Sequence, residues 1–352
     1  MKPVSACILG GSGYGGGELL RLLAGHPQVA GIRAVSRKHA GQPYWQAHPN
    51  LRGVVAGDFD GEPDWAALAQ AGLPVLFSAM PHFELAQQLA GLEAAWSRHG
   101  LAERLTLIDL SGDFRLHDAQ AFAGAYGKPH PDPARLHGFV YGLPEWKRRS
   151  LAGAKRIANP GCFATAIQLA LLPFAGMQDL GFIAVSAATG SSGAGASLGE
   201  GTHHPTRAQD FRAYKVLAHQ HEAEVRRLLD VEGTRGYTLG FVPHSAPMVR
   251  GIHATLQFRS PSLPDAAAVM ARFESAYKDA PFVRLLQEPP RVAAVTGSNF
   301  CDIGWQVRDG GVAVMAALDN LVKGMAGQAL QNMNLALGFP ETTGLMLAGC
   351  YP

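Results

Sequence analysis

At 352 residues the chain is long for a single hydrophobic core, so two domains are expected. With 47% hydrophobic and 16% charged residues it reads as a soluble globular protein, and a net charge of +2 argues against a nucleic-acid partner. The four cysteines (Cys7, Cys162, Cys301, Cys350) share no metal-ligand spacing and suggest no disulfide framework. No apolar run reaches the roughly 18 residues of a membrane span, and the N-terminus opens on a strand rather than a leader, so a cytoplasmic protein with no membrane partner is expected.

Val4 to Leu9 predicts a short buried strand, followed at once by Gly10-Gly11-Ser12-Gly13-Tyr14-Gly15-Gly16-Gly17. A helix comes next, with apolar positions Leu19, Leu20, Leu22 and Leu23, stopped by His26-Pro27. Strand, glycine turn and helix are the setting of a dinucleotide site. The spacing Gly10, Gly13, Gly16 is a GxxGxxG variant that lets a pyrophosphate reach the helix N-terminus; a plain tight turn is the alternative.

The second strand, Gly31 to Val35, runs into Ser36-Arg37-Lys38. An NAD site usually places Asp or Glu here for the ribose 2′-hydroxyl, whereas a hydroxyl and two cations suit the 2′-phosphate of NADP(H), or else form a solvated basic turn. Strands Pro74 to Ser78 and Leu105 to Leu110 each end in a loop that is a candidate for the nicotinamide end, because ligands of open α/β sheets sit outside the carboxyl ends of strands. In the second loop Arg115 is expected either as a fork for a substrate anion or as a surface arginine paired with Asp113 or Asp118. Residues 117 to 155, rich in Pro, Gly, His and Arg, read as a connecting segment that crosses to a second domain.

Asn159-Pro160-Gly161-Cys162-Phe163-Ala164-Thr165 then opens an apolar helix expected over Ala164 to Phe174. A thiol at or near a helix N-terminus loses its proton more easily and makes a nucleophile, although a small buried cysteine is the commoner case. Beyond strand Phe182 to Ala187, the loop Thr189-Gly190-Ser191-Ser192-Gly193-Ala194-Gly195 is read as a nest of N–H groups for phosphate or cofactor amide, or as a flexible turn. His203, His204, His219 and His221 lack the carboxylate or cysteine spacing of a metal site, and no metal is expected. His219 or His221, just before a helix expected over Glu222 to Leu229, is the candidate acid/base for a cysteine nucleophile.

Strands are predicted at Tyr237 to Val242, Ile252 to Arg259, Cys301 to Val307 and Val312 to Leu318, with a helix from Pro264 to Lys278 among them. The last two strands are joined by Arg308-Asp309-Gly310-Gly311, a hairpin turn. After Asn320 a helical pattern returns, carried by Met325, Ala329, Leu330, Met333 and Leu337, and the first domain is its expected host.

Together these stretches resemble the N-acetyl-γ-glutamyl-phosphate reductases of arginine biosynthesis, relatives of aspartate-semialdehyde dehydrogenase. The likeness runs through the glycine loop, His48-Pro49-Asn50-Leu51-Arg52-Gly53, Asp109-Leu110-Ser111-Gly112-Asp113-Phe114-Arg115 and Asn159-Pro160-Gly161-Cys162. It continues through Ser192-Gly193-Ala194-Gly195, His219-Gln220-His221 and Asp319-Asn320-Leu321-Val322-Lys323-Gly324. The resemblance implies an α/β fold: a Rossmann-type NADP-binding domain (residues 1–157 plus 320–352) with an inserted α+β catalytic and oligomerisation domain (158–319).

It also implies NADP(H) bound by Gly10, Gly11, Ser12, Gly13, Tyr14, Gly15, Gly16, Ser36, Arg37, Ser78, Ser192, Gly193 and Asn320. Cys162 is the implied nucleophile, His219 the acid/base with His221 its rival, and Arg115, Asn159, Ser191 and Arg250 the substrate contacts. The implied substrates are an acyl phosphate and inorganic phosphate, and the implied assembly a homodimer or homotetramer. His203-His204-Pro205-Thr206-Arg207-Ala208 resembles instead the branch whose substrates ride on an acidic amino-group carrier protein. The acyl group is thus acetyl by preference, with succinyl or a carrier protein as alternatives.

Overall fold

The computed structural model describes residues 2–70, 72–263 and 265–351. The chain forms two compact units: Met1–Ala123, Lys128–Pro160 and Met325–Met346 make one, and Gly124–Gly127, Gly161–Gly324 and Leu347–Pro352 the other.

The first unit holds a sheet of six parallel strands: β1 (Val4–Leu9), β2 (Val29–Val35), β3 (Leu73–Ser78), β4 (Thr106–Asp109), β5 (Val140–Tyr141) and β6 (Arg156–Ala158). Their order, β2-β1-β3-β4-β6-β5, reverses direction between β1 and β3. That switch point opens a crevice at the carboxyl ends of the two strands, the usual ligand site of an open parallel sheet. β1, β3 and β4 are largely buried on both faces because helices cover both sides of a parallel sheet.

The stretch 117–155 is not a bare connection, which corrects the sequence reading. It contains the helices Ala119–Tyr126 and Pro144–Leu151, and β5 pairs with β6 at the sheet edge. Strands of two and three residues are too short to show an alternating pattern, which is why the sequence hides them.

The second unit carries a seven-stranded mixed sheet: β7 (Gly181–Thr189), β8 (Arg212–Ala213), β9 (Tyr237–Ser245), β10 (Ile252–Arg259), β11 (Val283–Leu286), β12 (Cys301–Arg308) and β13 (Gly311–Leu318). Its order is β11-β12-β13-β10-β7-β9-β8, with β7–β9 and β11–β12 parallel and the other pairs antiparallel. Arg308 faces Gly311 across a two-residue turn in which Asp309 and Gly310 both have positive φ (50° and 71°), the twist a tight hairpin needs. The helices Cys162–Leu171 and Ala266–Tyr277 bury one flank of this unit, with Phe273 stacked on Trp305 at 4.7 Å and edge-on to Phe174 at 5.5 Å. The second helix was expected from Pro264, which lies outside the described residues.

Three further boundaries differ from the sequence reading. The cysteine helix starts at Cys162, not Ala164, because Gly161 takes the extended N-cap conformation (φ −69°, ψ 148°). His221 is the first residue of its helix, His221–Val231. The chain returns to the first unit at Met325 rather than Asn320, and Leu347–Pro352 lies in the second.

The C-terminal helix, Gly327–Leu337, buries Ala329, Leu330 and Met333 as its period predicts, but it also buries Gln328, Gln331, Asn332 and Asn334 completely. These amides are hydrogen-bonded within the first unit: Asn332 donates to the Gly142 carbonyl (2.8 Å) and to Asn159 Oδ1 (3.0 Å), and Gln328 to the Gly142 carbonyl (3.2 Å). The amide nitrogens are satisfied in this way, whereas Gln328 Oε1 and Asn332 Oδ1 are buried with no hydrogen-bond partner among the described residues.

Candidate active site

The first unit presents an anion cradle. Gly10, in positive φ (75°), turns the chain out of β1, and Gly13 is the N-cap of the helix Tyr14–Ala24 with no side chain capping it. The first N–H groups of that helix therefore remain for a phosphate. Gly16 packs so tightly on the turn that a Cβ would come within 2.5 Å of the Gly11 carbonyl oxygen. At the end of β2 Ser36 Oγ donates to Ser12 Oγ (2.9 Å), which joins the ribose-side turn to the glycine loop. Arg37 is exposed and, among the described residues, pairs only with the equally exposed Glu62 (3.1 Å), an ion pair that holds the cation weakly. Ser78 ends β3 beside the switch point, and its buried Oγ has no hydrogen-bond partner among the described residues. An uncapped helix start, a close-packed glycine turn and an orphaned hydroxyl fit a dinucleotide.

Two expected substrate contacts in this unit are held by protein groups. Arg115 is 4% exposed and donates from Nε to the Asn159 carbonyl (2.7 Å) and from Nη2 to the Leu110 carbonyl (2.8 Å), so it ties two strand-end loops together. It is neither a surface arginine nor an open fork. Asn159 is fully buried; its amide donates to the Met325 carbonyl (3.0 Å) and accepts from Asn332. Beneath them, burial and then the charge of Asp113 push the Asp109 carboxyl up to about 7. Asp113 itself accepts from the N–H groups of Phe83 (2.6 Å) and Ala86 (3.0 Å) at the start of the helix Glu84–Ser97.

The second unit gathers Cys162 and both histidines. Cys162 is the first residue of its helix, where unpaired N–H groups and the helix dipole favour an anion. The Gly161 N–H donates to Glu224 Oε2 (3.0 Å), and Gln168 donates to the Glu224 carbonyl (2.7 Å), which fixes the turn before the thiol. His221 packs flat against Gly161, so close that a Cβ there would overlap its ring.

His219 is 7% exposed and lies among Phe163 (5.4 Å between ring centres), Phe241 (5.5 Å), Tyr214 (5.9 Å) and His221 (4.6 Å). Its Nδ1 accepts the His221 N–H (3.2 Å), which places the proton of the neutral ring on Nε2. Burial, and then the charge of Lys215, push its pKa down to about 4. At neutral pH His219 is thus a neutral imidazole that donates from Nε2.

The remaining candidates of this unit sit in its loops. Asn320 donates to Ser192 Oγ (3.0 Å) and accepts the Gly251 N–H (2.6 Å), while Ser192 Oγ donates to the Val249 carbonyl (2.7 Å). Gly193 follows in the same turn, and the Ser191 N–H is bound by the Met248 carbonyl (2.9 Å). Arg250, expected on substrate, forms a two-pronged pair with buried Asp319 (2.9 and 3.0 Å), which also accepts from the N–H groups of Leu321 and Val322. Sequence reasoning did not single out Glu224, which holds the turn before Cys162, or Arg207, which is held at the ends of β7 and β9. A Glu in the first turn of a helix and an Arg in a polar loop both read as solvated, and only the fold supplies their partners. Among the described residues no cluster of His, Cys, Asp or Glu has the makings of a metal site.

Comparison with known proteins agrees with this division of labour. Residues 5–154 match the family described as semialdehyde dehydrogenase, NAD binding domain, and residues 162–320 match semialdehyde dehydrogenase, dimerisation domain. The chain is 40% identical to N-acetyl-γ-glutamyl-phosphate reductase of Desulforudis audaxviator over 98% of this chain and 99% of the relative. The chain belongs to the N-acetyl-γ-glutamyl-phosphate reductase family of semialdehyde dehydrogenases.

That family includes a second kind of relative. The [LysW]-L-2-aminoadipate 6-phosphate reductase of Deinococcus radiodurans is 39% identical over 99% of this chain and 98% of its own. Among solved structures, aspartate semialdehyde dehydrogenase II of Vibrio cholerae shares the fold with a TM-score of 0.68 at 16% identity, covering 96% of this chain and 99% of that one. Members of the family are oxidoreductases with a nicotinamide-binding unit, which is the use the cradle of the first unit suits.

Proposed function

We propose that this reductase converts N-acetyl-γ-glutamyl phosphate to N-acetylglutamate 5-semialdehyde and inorganic phosphate, the reductive step of arginine biosynthesis, with NADPH and in the cytoplasm. The observation that carries the reading is Cys162 at the start of a buried helix, in one unit with a histidine locked as an Nε2 donor.

The thiolate of Cys162 attacks the acyl carbon, the C–O bond to phosphate breaks, and phosphate leaves a thioester on the enzyme. A bound nicotinamide supplies the hydride that reduces this thioester. The oxyanion that forms on the former carbonyl meets the N–H groups of the cysteine helix and the Nε2 proton of His219. Collapse of this hemithioacetal releases aldehyde and returns the thiolate. Ser36 and Arg37 are the residues that would read a 2′-phosphate, and Asn320, held between Ser192 and Gly251, would brace the nicotinamide end. A neutral His219 also has a basic lone pair only on Nδ1, which the His221 N–H occupies, so its work is donation rather than proton abstraction from the thiol.

A second reading keeps the chemistry and changes the acyl group. It is favoured by the 43% identity, over 99% of both chains, to a putative [LysW]-L-2-aminoadipate 6-phosphate reductase of Thermomicrobium roseum. NADP reduction in phosphate buffer with N-acetylglutamate semialdehyde, beside the N-succinyl compound, decides between them. A robust rate with the acetyl substrate establishes the first reading; silence with both, in a protein that binds NADPH, points to a carrier-bound substrate and an acidic protein partner. The oligomer, dimer or tetramer, is read by sedimentation.

A further inference from the structure

With Arg250 paired to Asp319, a different cation of the second unit is needed to hold the substrate's negative charge. Arg207 has the required properties. Its guanidinium is held by neutral acceptors only: Ser245 Oγ, the Thr189 carbonyl (3.2 Å) and the Ala246 carbonyl (3.1 Å). Among the described residues it forms no ion pair, and its buried Nε has no hydrogen-bond partner. Arg212 repels it more strongly than Asp210 attracts it. A cation fixed in place by carbonyls and lacking a counter-ion is a site prepared for an anion.

Its position suits the chemistry. Thr189 and Ser245 are register partners at the carboxyl ends of the parallel strands β7 and β9, and the loop Ser191–Ala194 leaves from the same end. Tyr214 is bound by its N–H to the Pro243 carbonyl of β9 (3.0 Å) and turns its ring to His219 at 5.9 Å. Tyr214 lies within electrostatic reach of both groups: after burial, Cys162 opposes its ionisation and Arg207 assists it.

We propose that Arg207 anchors an anionic group of the substrate beside Cys162, either the phosphate that leaves the acyl carbon or the carboxylate of the acylamino acid. Both are planar or tetrahedral oxyanions that a guanidinium fork accepts. The proposal rests on the cysteine mechanism above, and the test separates the two.

Wild type, R207Q and R207K are assayed in the oxidative direction, varying inorganic phosphate and N-acetylglutamate semialdehyde in turn. Loss of a charge-assisted hydrogen bond in R207Q should raise one KM by about tenfold or more while the other stays within about twofold. A rise for phosphate assigns the leaving-group pocket, and a rise for semialdehyde assigns the carboxylate. R207K keeps the charge without the fork and should fall between; it carries the test if R207Q melts earlier than wild type. Two unchanged KM values, whatever happens to kcat, overturn the proposal.

A second readout needs no turnover. Inorganic phosphate, and separately N-acetylglutamate, are tested for slowing alkylation of Cys162 by iodoacetamide. Protection in wild type that disappears in R207Q supports the anchor even if the acetyl substrate proves wrong. Protection equal in both proteins, or absent from wild type with either anion, refutes it.

Discussion

The chemistry turns on a few atoms whose surroundings are unusually constrained. Cys162→Ala should retain cofactor binding, measured by NADPH fluorescence, and lose turnover altogether, since no thioester can form. Cys162→Ser should be nearly as inactive; a rate within tenfold of wild type would remove the covalent route. His219→Asn removes the Nε2 donor and should lower kcat by about a hundredfold or more, the usual worth of a positioned proton donor. His221→Asn leaves the backbone N–H that orients His219 in place, so a smaller loss is expected; the reverse ranking would give the proton to His221. At this scale the sequence was informative where the signal is local. Pro160-Gly161 before a cysteine announces a helix start, and an Asn-Pro-Gly-Cys run can be read without knowing the fold. Arg115, Arg250 and Arg207 are indistinguishable as letters. They have partners as far as 44, 69 and 39 residues away, and such distant partners decide which guanidinium is committed.

The glycine-loop element is the most legible piece of the fold, because its strand, turn and helix are contiguous and each glycine answers to a nearby atom. Gly16→Ala would press a methyl against the Gly11 carbonyl, a backbone atom that cannot swing away. NADPH affinity should fall by about tenfold or more, with melting temperature lowered as well, as overpacked sites typically lose about 1–3 kcal/mol. Arg37→Glu tests the next element. Its ion pair with Glu62 is exposed, so stability should hardly change, while NADPH binding should weaken and NADH binding should not. Equal weakening of both cofactors would show that Arg37 does not read the 2′-phosphate. Elements that the sequence concealed are the short ones. β5, β6 and β11 have two to four residues each, and their pairing comes from distant neighbours.

For the molecule as a whole, buried histidines set the acid limit. His26, His48, His130, His219 and His253 all have pKa values lowered chiefly by burial. As pH falls below 6.5 the unfolded chain takes up protons that these native rings refuse, so stability is lost until the native values are passed, about 4 for His219. His219 alone is worth about 3 kcal/mol across that window. Asp109 works in the opposite sense: raised to about 7 in the native state, it binds a proton there that the unfolded carboxyl releases above 3.8. Five histidines act in one direction against a single carboxyl, and urea midpoints are expected to drop from pH 7 to pH 5. A midpoint that holds or rises would mean that Asp109 dominates.

The discontinuous first unit bears on how the protein is made. Its sheet is complete once Ala158 has been synthesised, yet the Gly142 carbonyl and the Asn159 amide wait for Asn332 and Gln328 in the C-terminal helix. The second unit is almost wholly contained in Gly161–Gly324, so it can fold on the ribosome while the first still lacks its last helix. A nascent chain stalled before Met325 should therefore present a protease-resistant second unit and an unfinished first one. The unit whose chain begins first is the last to be completed.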